Sequence, residues 1–475
     1  MRQLLALLAA ALLVASCARN PVTGKRELAI SEDSELALGA QNDPQIVASM
    51  GVYEDAELQA LLERVGKRMA AESHRPDLDW TFRIIDSEVV NAFAVPGGYV
   101  YFTRGILAHF NNEAEFAGVL GHEIGHVTAR HSAQQIRKQQ LAQVGMIGAA
   151  IASPTVANNL QAVSQGLQLL FLKYSRSAEE ESDALGVEYS SELGYDAKYM
   201  AGFFQTIDRL QAQAGAEIPN FLSTHPDPAN REQRVRQLAQ QWQAKLPGEQ
   251  DLVNRDGYLA LIDGILYGED PNQGYTENGK FYHPQLAFVF DVPRGWQLVN
   301  SPQQVQMAAP NGDAVVSLTL AQGASPQAAA QQWMQQNQLQ ATRAGERTVN
   351  GLPAYVVEGV AQTQQGQQLA WTATFVGYGG NVYNFTGITL AQAARKYATA
   401  LAQPASSFQR LTDARYLNRE PERLRVRTVS SPQTLQAFLQ SAGTPSGRMQ
   451  EMAILNGLAL TTQLPAGTKV KTVGR

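Results

Sequence analysis

One cysteine, Cys17, occurs in 475 residues, which excludes a disulfide framework and any site built from several thiolates. Charge is scarce as well. Charged residues make up 17% of the chain, with 38 basic against 43 acidic and a net charge of −5. That balance excludes a basic nucleic-acid-binding surface, so no nucleic-acid partner is expected. Apolar runs of membrane-spanning length are missing too. The two best, Leu4–Ala15 and Val144–Ala152, have twelve and nine residues, against the roughly 20 a spanning helix needs. Histidine is limited to seven residues, few enough to weigh one by one. What is present is 44% hydrophobic residues, ample for packed cores, in a length that suggests roughly three domains.

The N-terminus reads as an address. Met1-Arg2-Gln3 precedes the apolar run, as in a secretory signal. Val14-Ala15-Ser16-Cys17 follows and resembles the bacterial lipobox, which implies removal of 1–16 and lipidation of Cys17. Ala18 after the cysteine implies the Gram-negative outer membrane, with the body in the periplasm. Several acyl chains on one cysteine suffice for stable anchoring.

Helical periodicity covers 32–75, Asn112–Gln143, Asn158–Gln213 and Asn230–Ala244, with strands expected within 80–103 about a Gly97-Gly98 turn. The composition shifts at Pro247-Gly248, so 246–282 is expected to be a linker. Residues 283–411 alternate as strands, interrupted by helical stretches at 325–339 and 390–402, and suggest a separate α+β domain. Residues 423–475 form a last unit. The fold class expected is α+β and multidomain.

The chemistry concentrates in Leu120-Gly121-His122-Glu123-Ile124-Gly125-His126. His-Glu-x-x-His on a helix places two imidazoles on one face, where they converge on one ion. Glu123 stands one position round, within reach of a water polarised by that ion. On the chain's own His and Glu frequencies the pattern is expected by chance about 0.006 times. A catalytic zinc needs a third protein ligand. Ser175-Arg176-Ser177-Ala178-Glu179-Glu180-Glu181-Ser182-Asp183 supplies carboxylates, with Glu179 and Asp183 one turn apart. Three consecutive glutamates leave the choice of ligand open on spacing alone. His131, five residues past His126, faces away from the ligand side and reads as structural.

His-Glu-x-x-His followed by Glu-x-x-x-Asp resembles the gluzincin metallopeptidases that include the CAAX prenyl endopeptidases and HtpX. Asn91-Ala92-Phe93-Ala94-Val95-Pro96-Gly97-Gly98-Tyr99-Val100-Tyr101, Thr103-Arg104-Gly105, Tyr174-Ser175-Arg176 and Thr224-His225-Pro226 carry the likeness further. The resemblance covers about 20–245 and implies a mainly helical zinc metallopeptidase domain with a small sheet, here bounded as 17–245. It points to the branch without membrane helices. It also implies Glu179 as the third ligand, with Asp183 accepting a hydrogen bond from a ligand histidine.

Under that resemblance Glu123 is the general base of peptide hydrolysis. His225 is a catalytic candidate with two readings, an oxyanion donor or a fourth ligand that holds the site latent; capping of a loop is the structural alternative. Arg176 is either an oxyanion donor or an ion-pair partner. Asn91, Ala92, Phe93 and Ala94 are expected to form an edge strand that takes an extended substrate by main-chain hydrogen bonds. The apolar stretch 144–172 either covers that groove or packs as ordinary helix. Arg425-Val426-Arg427 through Thr468-Lys469-Val470-Lys471 resembles a LysM module of βααβ order, though Ser431-Pro432-Gln433 replaces its Gly-Asp turn. The function expected is degradation of misfolded or stalled envelope proteins, with peptidoglycan or the outer-membrane assembly machinery as further partners. The other class of reading is a non-catalytic scaffold or chaperone between membrane and cell wall.

Overall fold

The computed structural model describes residues 17–149, 173–214, 220–226, 230–248, 250–363 and 366–475. The signal segment 1–16 lies outside them, as does most of the 144–172 stretch expected either to cover the groove or to pack as ordinary helix. Contacts divide the chain into two units, 1–268 with 422–475, and 269–421.

The first unit opens with a hairpin of β1 (Cys17–Arg19) and β2 (Arg26–Leu28), followed by helix α1 (Glu32–Met50). Helix α2 (Ala56–Glu72) starts where the Asp55 carboxylate accepts from the backbone N–H groups of Glu57 and Leu58. Its Leu58, Leu61, Leu62, Val65 and Met69 fall on one stripe and are buried. Three short strands follow, β3 (Thr81–Ile85), β4 (Ala92–Val95) and β5 (Tyr99–Thr103), in the order β3-β5-β4. β4 and β5 are joined through Gly97 and Gly98, whose φ values of 90° and 98° only glycine adopts freely.

The continuous helix expected over 112–143 is instead broken. After α3 (Arg104–His109), helix α4 (Glu113–Thr128) is capped by Asn112, and α5 (His131–Ala149) restarts beyond Arg130, which has φ 60°. Helix α4 is buried on every side, which is why its sequence is apolar and glycine-rich all round. Helix α6 (Arg176–Glu192) packs against it, followed by α7 (Met200–Ala214), α8 (Asn220–Thr224) and α9 (Arg231–Lys245).

The 246–282 segment is not a linker. It contains helix α10 (Arg255–Ile262), whose Tyr258, Leu259 and Ile262 are buried in the core of the first unit. In the second unit β6 (Tyr275–Glu277) and β7 (Lys280–His283) join β8 (Phe288–Asp291) in a sheet completed by Gln409–Arg410. Seven antiparallel strands between Gln297 and Leu390 form a second sheet. Helix α11 (Pro326–Gln336) buries Ala329 and Ala330 against Trp371 and Phe375, and α12 (Ala394–Ser407) packs beside Phe288 and Phe385.

Residues 423–475 run strand, helix, helix, strand, with Arg423–Thr428 paired antiparallel to Lys469–Gly474. They are not a free-standing third unit. Leu424, Leu435, Leu439, Leu455 and Val470 share one core with α2, α4 and α7. Lys471 is fully buried and donates to the carbonyls of Ala108 and Phe110, at 2.9 Å each. Among the described residues no helix is long and apolar enough to cross a membrane.

Candidate metal centre

Helices α4 and α6 meet on bare backbone. A Cβ on Gly121 would stand 3.0 Å from the Cα and carbonyl oxygen of Gly186, and one on Gly186 would stand 3.0 Å from the backbone nitrogen of His122. This close approach sets the imidazoles of α4 against the carboxylates of α6.

His122 and His126 turn their Nε2 atoms toward each other at 3.0 Å. Glu179 closes the triangle, with Oε2 3.6 Å from His122 Nε2 and Oε1 3.4 Å from His126 Nε2. His225, from the turn after α8, adds a fourth donor, and the four ligand atoms lie within 4.8 Å of one another. All four residues are buried. The His225 Nδ1 lies 3.2 Å from the Phe221 carbonyl, and its ring stacks on Phe221 with centroids 4.5 Å apart. Its Nε2 is buried without a hydrogen-bond partner, 3.5 Å from Glu123 Oε1.

Glu123 is fully buried, and among the described residues neither of its carboxylate oxygens has a hydrogen-bond partner. Burial pushes its pKa up to about 8, opposed by the charge of Arg231. Burial lowers His122 to about 4, opposed by Asp183, and holds His126 and His225 well below the usual histidine value. The imidazoles are therefore neutral near pH 7 and offer lone pairs.

Asp183 sits behind the cluster, Oδ1 3.0 Å from His122 Nδ1. Arg231 grips the same carboxylate through Nε at 3.0 Å and Nη2 at 2.7 Å, and Nη2 lies 3.4 Å from Glu179 Oε2. Arg234 adds a contact of 2.9 Å. Burial alone would raise the Asp183 pKa; Arg231 and His122 together outweigh it and hold it down at about 2. The guanidinium of Arg231 stacks over Phe204, 3.7 Å from the ring centre.

The expected residues distribute as follows. His122, His126, Glu179 and His225 come together, Glu123 stands beside them, and Asp183 backs His122. Arg176 does not join them: it lies exposed at the first position of α6, and the arginine buried against the cluster's carboxylates is Arg231. Position N1 of a helix points a long side chain outward here, whereas Arg231 enters from α9. Ala92, Phe93 and Ala94 lie in β4, which occupies the end of its sheet and packs on α4. Asn91 precedes it, and its side-chain oxygen is buried without a hydrogen-bond partner. His131, expected to face away from the ligand side and to be structural, lies outside the cluster but places Nδ1 3.0 Å from His126 Nδ1. Arg231 and His131 escaped motif reading because each reaches the site only through tertiary packing.

The donor set fits a divalent cation. Tetrahedral ligands about 2.0–2.2 Å from zinc stand roughly 3.3–3.6 Å apart, close to the spacings among His122, His126 and Glu179. The same 3.0 Å contact serves as an N–H···N hydrogen bond when no ion is bound, and with both Nε2 lone pairs free it presents two nitrogen donors beside a buried carboxylate. Nitrogen and carboxylate donors in this number suit zinc.

Fold and site together define a gluzincin metallopeptidase domain. Residues 56–239 match the model of peptidase family M48. It is 31% identical over 253 residues to the beta-barrel assembly-enhancing protease of Yersinia pestis, covering 51% of each chain. The putative beta-barrel assembly-enhancing protease of Vibrio cholerae is 32% identical over 218 residues, 44% of this chain and 45% of that one. The mitochondrial metalloendopeptidase OMA1 of Arabidopsis thaliana is 31% identical over 187 residues, 39% of this chain and 37% of that one. The chain thus spans about half the length, or less, of these curated relatives.

Proposed function

We propose that the chain is a zinc-dependent endopeptidase that hydrolyses misfolded or stalled proteins of the bacterial envelope. The observation that carries the reading is Glu123: a fully buried carboxylate with no hydrogen-bond partner among the described residues, beside His122, His126, His225 and Glu179. Burying such a group costs a structural helix free energy, whereas a general base needs a carboxylate free to take up a proton.

His122, His126 and Glu179 would hold the metal, which when bound supplies the Lewis acidity that polarises the scissile carbonyl and acidifies water. Glu123 accepts the attacking water's proton and returns it to the leaving amine. Asp183 and Arg231 fix the ligand geometry from behind. His225 in the fourth donor position describes a latent state, and its withdrawal with the 220–226 turn opens room for substrate. β4 is the strand to which an extended chain would add, and the acceptor on Asn91 supports that placement. Such pairing is main-chain directed and selects unfolded segments over folded ones. Lipidation of Cys17 would tether the domain to the outer membrane, and the βααβ segment would be its link to peptidoglycan or to the outer-membrane assembly machinery. The names of the Yersinia and Vibrio relatives, beta-barrel assembly-enhancing protease, support the proteolytic reading.

The test compares wild type with Glu123→Gln on an unfolded outer-membrane polypeptide, with zinc content measured in both. Cleavage by wild type alone, at equal zinc, is expected. Equal cleavage by both removes the hydrolytic reading.

A further inference from the structure

The two histidines of the cluster are supported differently. His122 meets a carboxylate directly, through Asp183 at 3.0 Å. Among the described residues no carboxylate meets the far nitrogen of His126. Asp183 and Glu179 share one face of α6, and one turn of α4 separates the two imidazoles, so Asp183 serves His122 alone. The far nitrogen of His126 instead meets His131 Nδ1 at 3.0 Å. His131 Nε2 lies 3.2 Å from Glu181 Oε2, and Ser182 Oγ lies 3.2 Å from His131 Nδ1.

These contacts have one hydrogen-bond direction that leaves His126 Nε2 with a lone pair for a metal. His126 Nδ1–H donates to His131 Nδ1, and His131 Nε2–H donates to the Glu181 carboxylate. The three consecutive glutamates then have three separate tasks. Glu179 enters the cluster, Glu180 pairs with Arg234 at 3.2 Å, and Glu181 orients His131.

The backbone that delivers His131 is built for the purpose. Arg130 takes the left-handed conformation between α4 and α5, at φ 60°. Its Nε donates to buried Glu35 at 2.8 Å and its Nη2 to the Ile30 carbonyl at 2.9 Å. Arg75 holds the same Glu35 at 2.7 Å and reaches the Val127 carbonyl at 3.2 Å. The turn that folds His131 back onto His126 is thus pinned from α1.

We propose that His131 is a positioning residue for His126, relaying the orienting charge of Glu181 to the metal centre through one imidazole. This rests on the metal-site reading above. His131 touches neither substrate nor ion; it fixes the ring angle and tautomer of the residue that does.

The experiment measures zinc dissociation constants of the full chain by competition with a fluorescent chelator, and unfolding midpoints of the metal-free protein. His131→Phe, which fills the space without an acceptor, is expected to weaken zinc binding about 10–100-fold. His131→Gln, whose side-chain oxygen can accept from His126, is expected to stay within a few-fold of wild type. Glu181→Gln is expected between the two. The metal-free midpoints of the Phe and Gln variants should agree. Equal zinc affinity in wild type and His131→Phe overturns this relay while leaving the metal site standing. A Phe variant weakened only in proportion to a lowered metal-free midpoint, with Gln equally weak, overturns it in favour of a packing role. Failure of wild type to bind zinc overturns relay and metal site together.

Discussion

Gly121 and Gly186 form the contact on which the site is built, with 3.0 Å between the Cβ position of the first and the Cα of the second. Between them the helix that carries the imidazoles and the helix that carries Glu179 and Asp183 touch without side chains. A methyl group has backbone, not a flexible side chain, to displace. Gly121→Ala is therefore expected to cost about 1–3 kcal/mol of stability and to weaken zinc binding as the helices part. Thermal unfolding and chelator competition on the same variant check both. A variant that folds as well as wild type and binds zinc equally would show that the crossing tolerates slack.

Arg231 is the countercharge for two buried carboxylates. Removing it as Arg231→Leu leaves Asp183 and Glu179 without their main cation and is expected to cost about 3–5 kcal/mol. Lysine at 231 cannot hold both Nε and Nη2 contacts to Asp183, so partial recovery is expected. Chemical denaturation of the metal-free protein reads both. Arg176→Ala, at an exposed position, should leave stability within about 0.5 kcal/mol.

The last 54 residues belong to the core of the first unit. A chain ended after Pro421 would expose the surface that Leu424, Leu435, Leu439, Leu455 and Val470 cover. It would also strand the carbonyls of Ala108 and Phe110, which accept from Lys471. Loss of cooperative unfolding is expected on truncation. Lys471→Met in the full chain should cost about 1–3 kcal/mol for the unsatisfied carbonyls.

His109 gives the fold an acid limit. It is buried, its Nδ1 is 2.7 Å from the Gly105 carbonyl, and burial lowers its pKa to about 4. The folded state therefore keeps it neutral where the unfolded chain, near 6.5, is protonated. The unfolded state binds more protons between these values, so stability is full above about pH 6.5 and falls as pH drops toward 4. The slope from this group is about 1.4 kcal/mol per pH unit. Denaturation midpoints of wild type and His109→Asn across that window check it, the variant showing the shallower decline.

Much of the centre was legible because a helix turns the i, i+4 rule into geometry. His122, His126 and Glu123 needed only their spacing. Glu179 needed more, since spacing could not choose among three glutamates; the crossing at Gly121 and Gly186 makes the choice. Arg231 and His131 were not legible. One arrives from a helix 48 residues beyond Asp183, the other through a left-handed turn at an arginine, where sequence gives no glycine or asparagine as a signal. Several strands within 283–411 followed from alternation, but their division into two sheets and the membership of 255–262 and 423–475 in the first core did not. Periodicity shows that a face is apolar, not which neighbour covers it.

The most direct measurement is anomalous X-ray scattering at the zinc edge from crystals of the zinc-loaded full chain. The account expects one ion per chain, about 2.0–2.2 Å from Nε2 of His122, Nε2 of His126 and a carboxylate oxygen of Glu179. Zinc bound stoichiometrically elsewhere, with those three side chains together and empty, would contradict it.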